Sequence, residues 1–227
     1  MTARPLALVT GASRGIGAAI ARALAPDHSL LLGGRDVDTL HAAADRLPDA
    51  RAWPVELTDP TALAAATSGI PALDVLVHSA GTAEVGPLTE ATAERWRATF
   101  ELNVVAVAEL TRLLLPALRQ ARGHVVLINS GQGRTASPGW GPYAASKFAL
   151  RAYADVLRGE EQTSGLRVTT VYPGRTDTDM QKAIRRDEGG DYRPEDYLTP
   201  DSVAKAVRAA VTADPDAHLT EVVIRPR

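Results

Sequence analysis

What most limits the fold of this chain is an alternation. Short apolar runs at residues 5–10, 29–32, 51–57, 73–78, 123–129, 166–172 and 221–224 are separated by stretches of helix-forming composition. A strand with one wet face alternates apolar and polar residues, whereas a strand apolar along its length is buried on both faces. Strands joined by helices run parallel, because a parallel pair needs a crossover long enough to hold one. The pattern therefore predicts an α/β fold, a doubly wound seven-stranded parallel sheet with helices on both faces. No linker, repeat or low-complexity segment divides residues 1–227, so one domain is expected.

Several helix starts are written locally. Asp36 reads as the cap of a helix to about residue 47, and Asp59-Pro60 and Thr199-Pro200 each pair a capping side chain with proline at the first helical position. Residues 89–119 read as a long helical region interrupted around 101–103, with Pro116 near its end, and a helix is expected over 143–162. Residues 177–199 are charged, contain Gly189-Gly190 and show no strand pattern. They are expected to form a helical flap beside a substrate, although a solvated insertion fits that composition equally well.

Composition removes several classes of function. A formal net charge of −2 gives no reason to expect nucleic acid or a membrane surface as a partner. The chain has no cysteine, which excludes disulfides, thiolate metal sites and a cysteine nucleophile and fits a reducing, cytoplasmic setting. Its five histidines show no metal-ligand spacing, so no metal is expected. No apolar run approaches the ~18 residues of a membrane span, and residues 1–9 read as a first strand rather than a leader.

Between the first strand and an alanine-rich helix lie Gly11, Gly15 and Gly17. Such a turn lets a pyrophosphate approach backbone N–H groups at the positive end of a helix, though three glycines could also be no more than a tight turn. The P-loop Lys-Ser/Thr is missing, which argues against an ATPase. At the end of the second strand a carboxylate would bind the ribose hydroxyls of NAD, whereas a small residue followed by arginine suits the 2′-phosphate of NADP. Gly34-Arg35 is the second pattern, and Arg14 could supply another guanidinium. The rival is Asp36, but as a helix cap its carboxylate is engaged, so NADP(H) is the expected cofactor.

The stretch 129–147 joins the fifth strand to the next helix and carries Tyr143 and Lys147, four residues apart and so on one helical face. An ammonium beside a phenol should pull its pKa toward working pH, as an acid/base group requires. Of the 25 basic residues 22 are arginine, so a lysine here points to a need for a compact, exchangeable charge.

Taken together, the run from Thr10 to Gly17, Ser79-Ala80-Gly81, Asn103, Ser130, Tyr143 with Lys147, and Pro173-Gly174 resemble the short-chain dehydrogenase/reductase family over essentially the whole chain. The resemblance implies a single Rossmann-type domain and an NADPH-dependent reductase that turns a small-molecule carbonyl into an alcohol, reversibly. It assigns Asn103, Ser130, Tyr143 and Lys147 to catalysis. Ser130 would hold the substrate oxygen, Tyr143 would transfer the proton, Lys147 would bind the nicotinamide ribose and lower the Tyr143 pKa, and Asn103 would hold a relay water. It assigns Gly11, Ser13, Arg14, Gly15, Ile16, Gly17 and Arg35 to the diphosphate and adenosine ribose. Glu56 and Leu57 would lie at the adenine, Ala80 and Gly81 close to the dinucleotide, and Pro173, Gly174, Thr176 and Thr178 at the carboxamide.

Gln132, Trp140, Arg175, Met180 and Ile184 are expected to flank the substrate. A homodimer or homotetramer is implied, through the helices after Asn103 and after Tyr143. The chain departs from the family pattern at His78-Ser79, where Asn-Asn is common, and at Glu56, where an aspartate often stands. The alternative reading is an NADP(H)-binding regulatory protein on the same fold, but such a protein would typically have lost the tyrosine or the lysine. A lyase or dehalogenase variant would be expected to abandon the glycine loop.

Overall fold

The computed structural model describes residues 4–214 and 216–227. Residues 1–3, read above as part of the first strand, lie outside the described residues. Strands β1 (Leu6–Thr10), β2 (Ser29–Gly34), β3 (Ala50–Pro54), β4 (Val75–His78), β5 (His124–Ile128), β6 (Arg167–Pro173) and β7 (Glu221–Ile224) form one sheet in the order β3-β2-β1-β4-β5-β6-β7. Every pairing is parallel. This is a seven-stranded parallel Rossmann-type sheet with helices on both faces.

The continuous apolar runs have a direct explanation. In β1, Ala7 and Val9 face a core built with Ile20, Leu24, Leu40, Val203 and Val207. These come from α1 (Gly15–Leu24), α2 (Val37–Ala44) and α8 (Pro200–Val211). Leu8 faces the other core, with Leu63, Leu110, Leu114, Leu150 and Leu157. Those belong to α3 (Pro60–Thr67), α5 (Ala106–Ala121) and α6 (Gly141–Glu160). With successive side chains pointing to opposite faces, both sets must be apolar.

The order of strands reverses between β1 and β4, so the chain leaves their carboxyl ends in opposite directions and opens a crevice there. Expected caps are present: the Asp36 carboxylate accepts from Thr39 N at 2.8 Å, Asp59 from the N–H groups of Thr61 and Ala62, and Thr199 from Ser202 N.

Two elements differ from expectation, while residues 177–199 are helical as expected. The third strand ends at Pro54, with Val55 N–H still bonded to the Gly34 carbonyl at 2.8 Å, and the Val55 and Leu57 side chains belong to the core. The 89–119 region divides into a 3₁₀ turn (Leu88–Glu90), α4 (Ala93–Phe100), a π-helical segment (Glu101–Val105) and α5, which runs through Pro116 without ending. The expected interruption is therefore one widened turn, closed by a bond from Ala106 N–H to the Glu101 carbonyl. Residues 177–199 hold α7 (Asp179–Asp187) and a 3₁₀ turn (Pro194–Asp196). The segment is tied back by the Thr176–Leu198 bridge, a Tyr192–Asp177 hydrogen bond and a bidentate Arg175–Glu188 pair.

Candidate active site

The turn after β1 needs its glycines for separate reasons. Gly11 and Gly15 adopt left-handed φ of +65° and +56°, where a side chain is strained. At Gly17 the constraint is space, since a Cβ would lie 2.2 Å from the Gly11 carbonyl oxygen. A Cβ on Gly11 would likewise press on Ala80, at 3.0 Å from its Cα and N. The turn leads into α1, whose cap residue Arg14 makes no side-chain capping bond and whose first turn holds no acidic residue. The leading N–H groups of α1 thus have no internal anion, and a diphosphate fits where they point.

Thr10 fixes the relation of β1 to β4. Its buried hydroxyl accepts from Ser79 N and Ala80 N, both at 3.1 Å, and donates to the Val77 carbonyl at 3.3 Å. Sequence reading quoted Thr10 but gave it no role; a hydroxyl closing an apolar strand was the available signal.

On the adenosine side Ser13 is half-buried and Arg14 exposed. Arg35 is 81% exposed, and its guanidinium lies 3.8 Å from Glu56. Glu56 also accepts from the N–H and hydroxyl of Thr58. Asp36 is occupied as the cap of α2, whose hydrogen bonds hold its carboxyl below the usual carboxylate range. The Leu57 side chain belongs to the core beside Leu63, which leaves its backbone to face the adenosine side.

Ser130, Tyr143 and Lys147 come together where β5 meets α6. Asn129 sets the junction: its Nδ2 donates to the Lys147 carbonyl at 3.0 Å, and its Oδ1 accepts from Ser130 N at 2.8 Å. A Cβ on Gly133 would lie 2.2 Å from that Oδ1. Lys147 is buried, with Nζ 2.9 Å from the Ile128 carbonyl and 5.6 Å from the centre of the Tyr143 ring. Burial pushes the Lys147 ammonium down to about 8. The expected lowering of the tyrosine is corrected. Burial pushes the Tyr143 phenol up, opposed by its hydrogen bond with Ser130. With the phenol in an apolar setting, desolvation of the anion outweighs the neighbouring dipole.

Asn103 is brought to the same place, and both Nδ2 protons are engaged. Oδ1 accepts from Thr82 N at 2.9 Å, while Nδ2 donates to the Thr82 carbonyl at 2.9 Å and to Ser146 Oγ at 3.0 Å. Ser146 in turn donates to the Tyr143 carbonyl. The amide therefore positions the loop after β4 against α6. It touches Gly81, where a Cβ would lie 3.1 Å from Oδ1 and 4.0 Å from Lys147 Nζ.

Above these groups opens a cavity of about 310 Å³. Ser130 and Tyr143 line it together with Ile16, Pro173, Gly174, Thr176 and Thr178 from the cofactor set. All five expected substrate neighbours, Gln132, Trp140, Arg175, Met180 and Ile184, line it too. Thr178 caps α7, accepting from Gln181 N, and its hydroxyl donates to the Thr176 carbonyl. Arg175 lies over the Trp140 ring at 5.6 Å while held by Glu188. Sequence reading missed Gln181 and Arg225, which also line the cavity. Among the described residues no group of three or more potential ligands could hold a metal ion, and no helix is long and apolar enough to cross a membrane.

An uncapped glycine turn, and a half-buried Ser130 with Tyr143 at one cavity beside buried Lys147, are the parts of a dinucleotide-dependent oxidoreductase site. A family model described as short chain dehydrogenase matches residues 5–189. The chain belongs to the short-chain dehydrogenase/reductase family, an oxidoreductase family whose fold binds a nicotinamide cofactor. It is 34% identical to glycine betaine reductase ATRR of Emericella nidulans over 98% of its own length, and spans 19% of that protein's length. It is 33% identical to dehydrogenase/reductase SDR family member 7B of Bos taurus, over 90% of this chain and 69% of that protein. An alcohol dehydrogenase of Thermococcus sibiricus, solved with 5-hydroxy-NADP, superposes with a TM-score of 0.89 at 28% identity, covering 98% of this chain and 96% of that one.

Proposed function

We propose that the protein is an NADPH-dependent reductase that converts a carbonyl to an alcohol, reversibly, with Tyr143 as the general acid/base. The observation that carries this reading is the convergence of half-buried Ser130 and buried Tyr143 on one cavity that cofactor-side residues also line, with buried Lys147 beneath the Tyr143 ring. When bound, the reduced nicotinamide supplies the hydride.

The protein's own groups do the rest. Ser130 Oγ holds the substrate oxygen beside the phenol. Tyr143, kept as a neutral phenol by burial, is in the proton-donating form that reduction needs, and gives its proton to the developing alkoxide. Lys147, still charged at neutral pH with its pKa near 8, anchors the end of β5 and offers its remaining donors to a ribose. Asn103 positions Tyr143 through Ser146.

Arg14 and Arg35 support the preference for NADP(H), since two exposed guanidiniums suit a ribose phosphate and Asp36 is occupied. A single catalytic domain over residues 1–227, working in the cytoplasm as a homodimer or homotetramer, completes the proposal. Support for assembly comes from exposed Val105, Phe148 and Val156 on the helices after Asn103 and Tyr143.

The test is Tyr143→Phe, assayed by NADPH absorbance on a panel of ketones, aldehydes and oxoacyl thioesters. Turnover should fall by about 10²- to 10⁴-fold with NADPH affinity kept within twofold. A variant of near-wild-type rate would remove Tyr143 from the chemistry. Tight NADPH binding with no turnover of any compound by the wild type would favour the regulatory alternative.

A further inference from the structure

We infer that Arg225 determines substrate choice and that the carbonyl substrate carries a carboxylate; this rests on the reductase reading above. Arg225 follows β7 and reaches back into the cavity from the far edge of the sheet. Its backbone packs on the turn after β6, where a Cβ added to Gly174 would sit 3.6 Å from the Arg225 Cα. Its guanidinium lies against the residue that follows Ser130. A Cβ on Gly131 would lie 2.3 Å from Arg225 Nη1, so a side chain at 131 would displace the exposed guanidinium from this place. Gly131 is not a left-handed position.

The charge around the cavity is unbalanced. Among the residues lining it there are two guanidiniums and no carboxylate. Arg175 makes a bidentate pair with Glu188, a carboxylate that Arg185 also contacts at 2.9 Å. Arg134, nearby, lies 3.8 Å from Glu221, which also faces Arg151 at 3.8 Å. Among the described residues, no carboxylate lies within ion-pair distance of Arg225. The polar amide of Gln132 is no rival, since both its ends are bonded to Ser137. A planar fork with open donors beside the serine that holds the reacting oxygen is matched by a carboxylate on the same molecule as the carbonyl.

The cofactor phosphates are not an alternative occupant. They belong at the turn after β1, and β4, β5 and β6 separate that strand from β7. Four strand spacings amount to about 19 Å.

The experiment compares matched pairs, an oxo acid and its methyl ester, such as 4-oxopentanoate and methyl 4-oxopentanoate or phenylpyruvate and its methyl ester, at pH 7 with NADPH. The wild type should use the acids at least tenfold better in kcat/KM, mainly through KM, and rising salt should erode the acid's advantage alone. Arg225→Gln should raise KM for the acids at least tenfold and leave the esters and the NADPH Kd within twofold, with Arg225→Lys intermediate.

Equal use of acid and ester by the wild type would overturn the inference while leaving the reductase reading intact, and that comparison does not depend on any variant folding. So would an Arg225→Gln variant that weakened both members equally, or one that chiefly weakened NADPH. Absence of turnover on every pair and on neutral carbonyls would overturn both readings together.

Discussion

His78 offers the sharpest quantitative test, because its neighbourhood admits only one protonation state. It ends β4 and is buried, with Nε2 2.9 Å from Thr111 Oγ1. The Thr111 proton is already donated to the Val107 carbonyl at 2.8 Å, so its oxygen accepts and His78 carries a proton on Nε2, while burial disfavours a second proton on the ring. Burial alone pushes the pKa down from 6.5 to about 3. Between these values the unfolded chain binds a proton that the folded chain refuses, so stability rises with pH across that window and is lost on acidification below 6.5.

At pH 5 the unfolded imidazole lies about 1.5 pK units into its protonated range, a loss of about 2 kcal/mol relative to pH 7.5. Exchanging His78 for Asn, the residue common in the family at this position, should lower stability at both pH values through lost packing and the lost Thr111 bond. That cost does not depend on pH. Urea unfolding of both proteins at pH 7.5 and 5.0, at one protein concentration, should therefore show the wild type losing about 2 kcal/mol more than His78→Asn. Equal losses would mean that His78 protonates in the folded protein, and the reasoning from its burial would be wrong. His124, also pushed down to about 3 by burial, should leave a similar acid sensitivity in both proteins.

Substitutions at three further residues bear on the cofactor side and on the support of the catalytic set. Glu56→Gln removes the charge 3.8 Å from Arg35 and should tighten NADPH a few-fold without changing NADH, whereas Arg35→Ala should loosen NADPH at least tenfold. Fluorescence titration reads both, and an unchanged NADPH-to-NADH ratio in Arg35→Ala would show that Arg35 plays no part in the choice. Asn103→Ala strands both backbone groups of Thr82 and should cost about 2–4 kcal/mol of unfolding free energy. It should also lower kcat more than it raises KM, and Asn103→Asp, which keeps the acceptor for Thr82 N, should recover part of the stability.

Much of the fold is legible because its signals are short. Asp59-Pro60, Thr199-Pro200 and Asp36 each fix a helix start within three or four residues, and the structure places a cap at each. The faces of the sheet are legible from strands that are apolar throughout. What failed was any feature whose cause lies elsewhere in the chain. Val55 and Leu57 look like strand because core loops and buried strands have the same composition. The widened turn at Glu101–Val105 could be expected only as a break. Its form goes with the placement of Asn103 against Thr82, 21 residues away, and no helix propensity separates a π turn from an α turn.

The same distinction runs through the site. Tyr143 and Lys147 can be read as a pair because one helical turn joins them, and Ser130 because it closes the adjoining strand. The tyrosine's proton affinity could not be read, since burial and not the neighbouring lysine dominates it, and burial is a property of the whole fold. The charge of the cavity is the stronger case. In the sequence Arg134, Arg175 and Arg225 are three equivalent cations among 22 arginines. Folding separates them by partner: Glu221 stands near Arg134, Glu188 holds Arg175, and the glycine at 131 admits Arg225 beside Ser130 with no acid facing it. A substrate charge is therefore selected by which ion pairs form and which one does not. That is why Gly131, a residue with no chemistry of its own, marks the place where specificity is set.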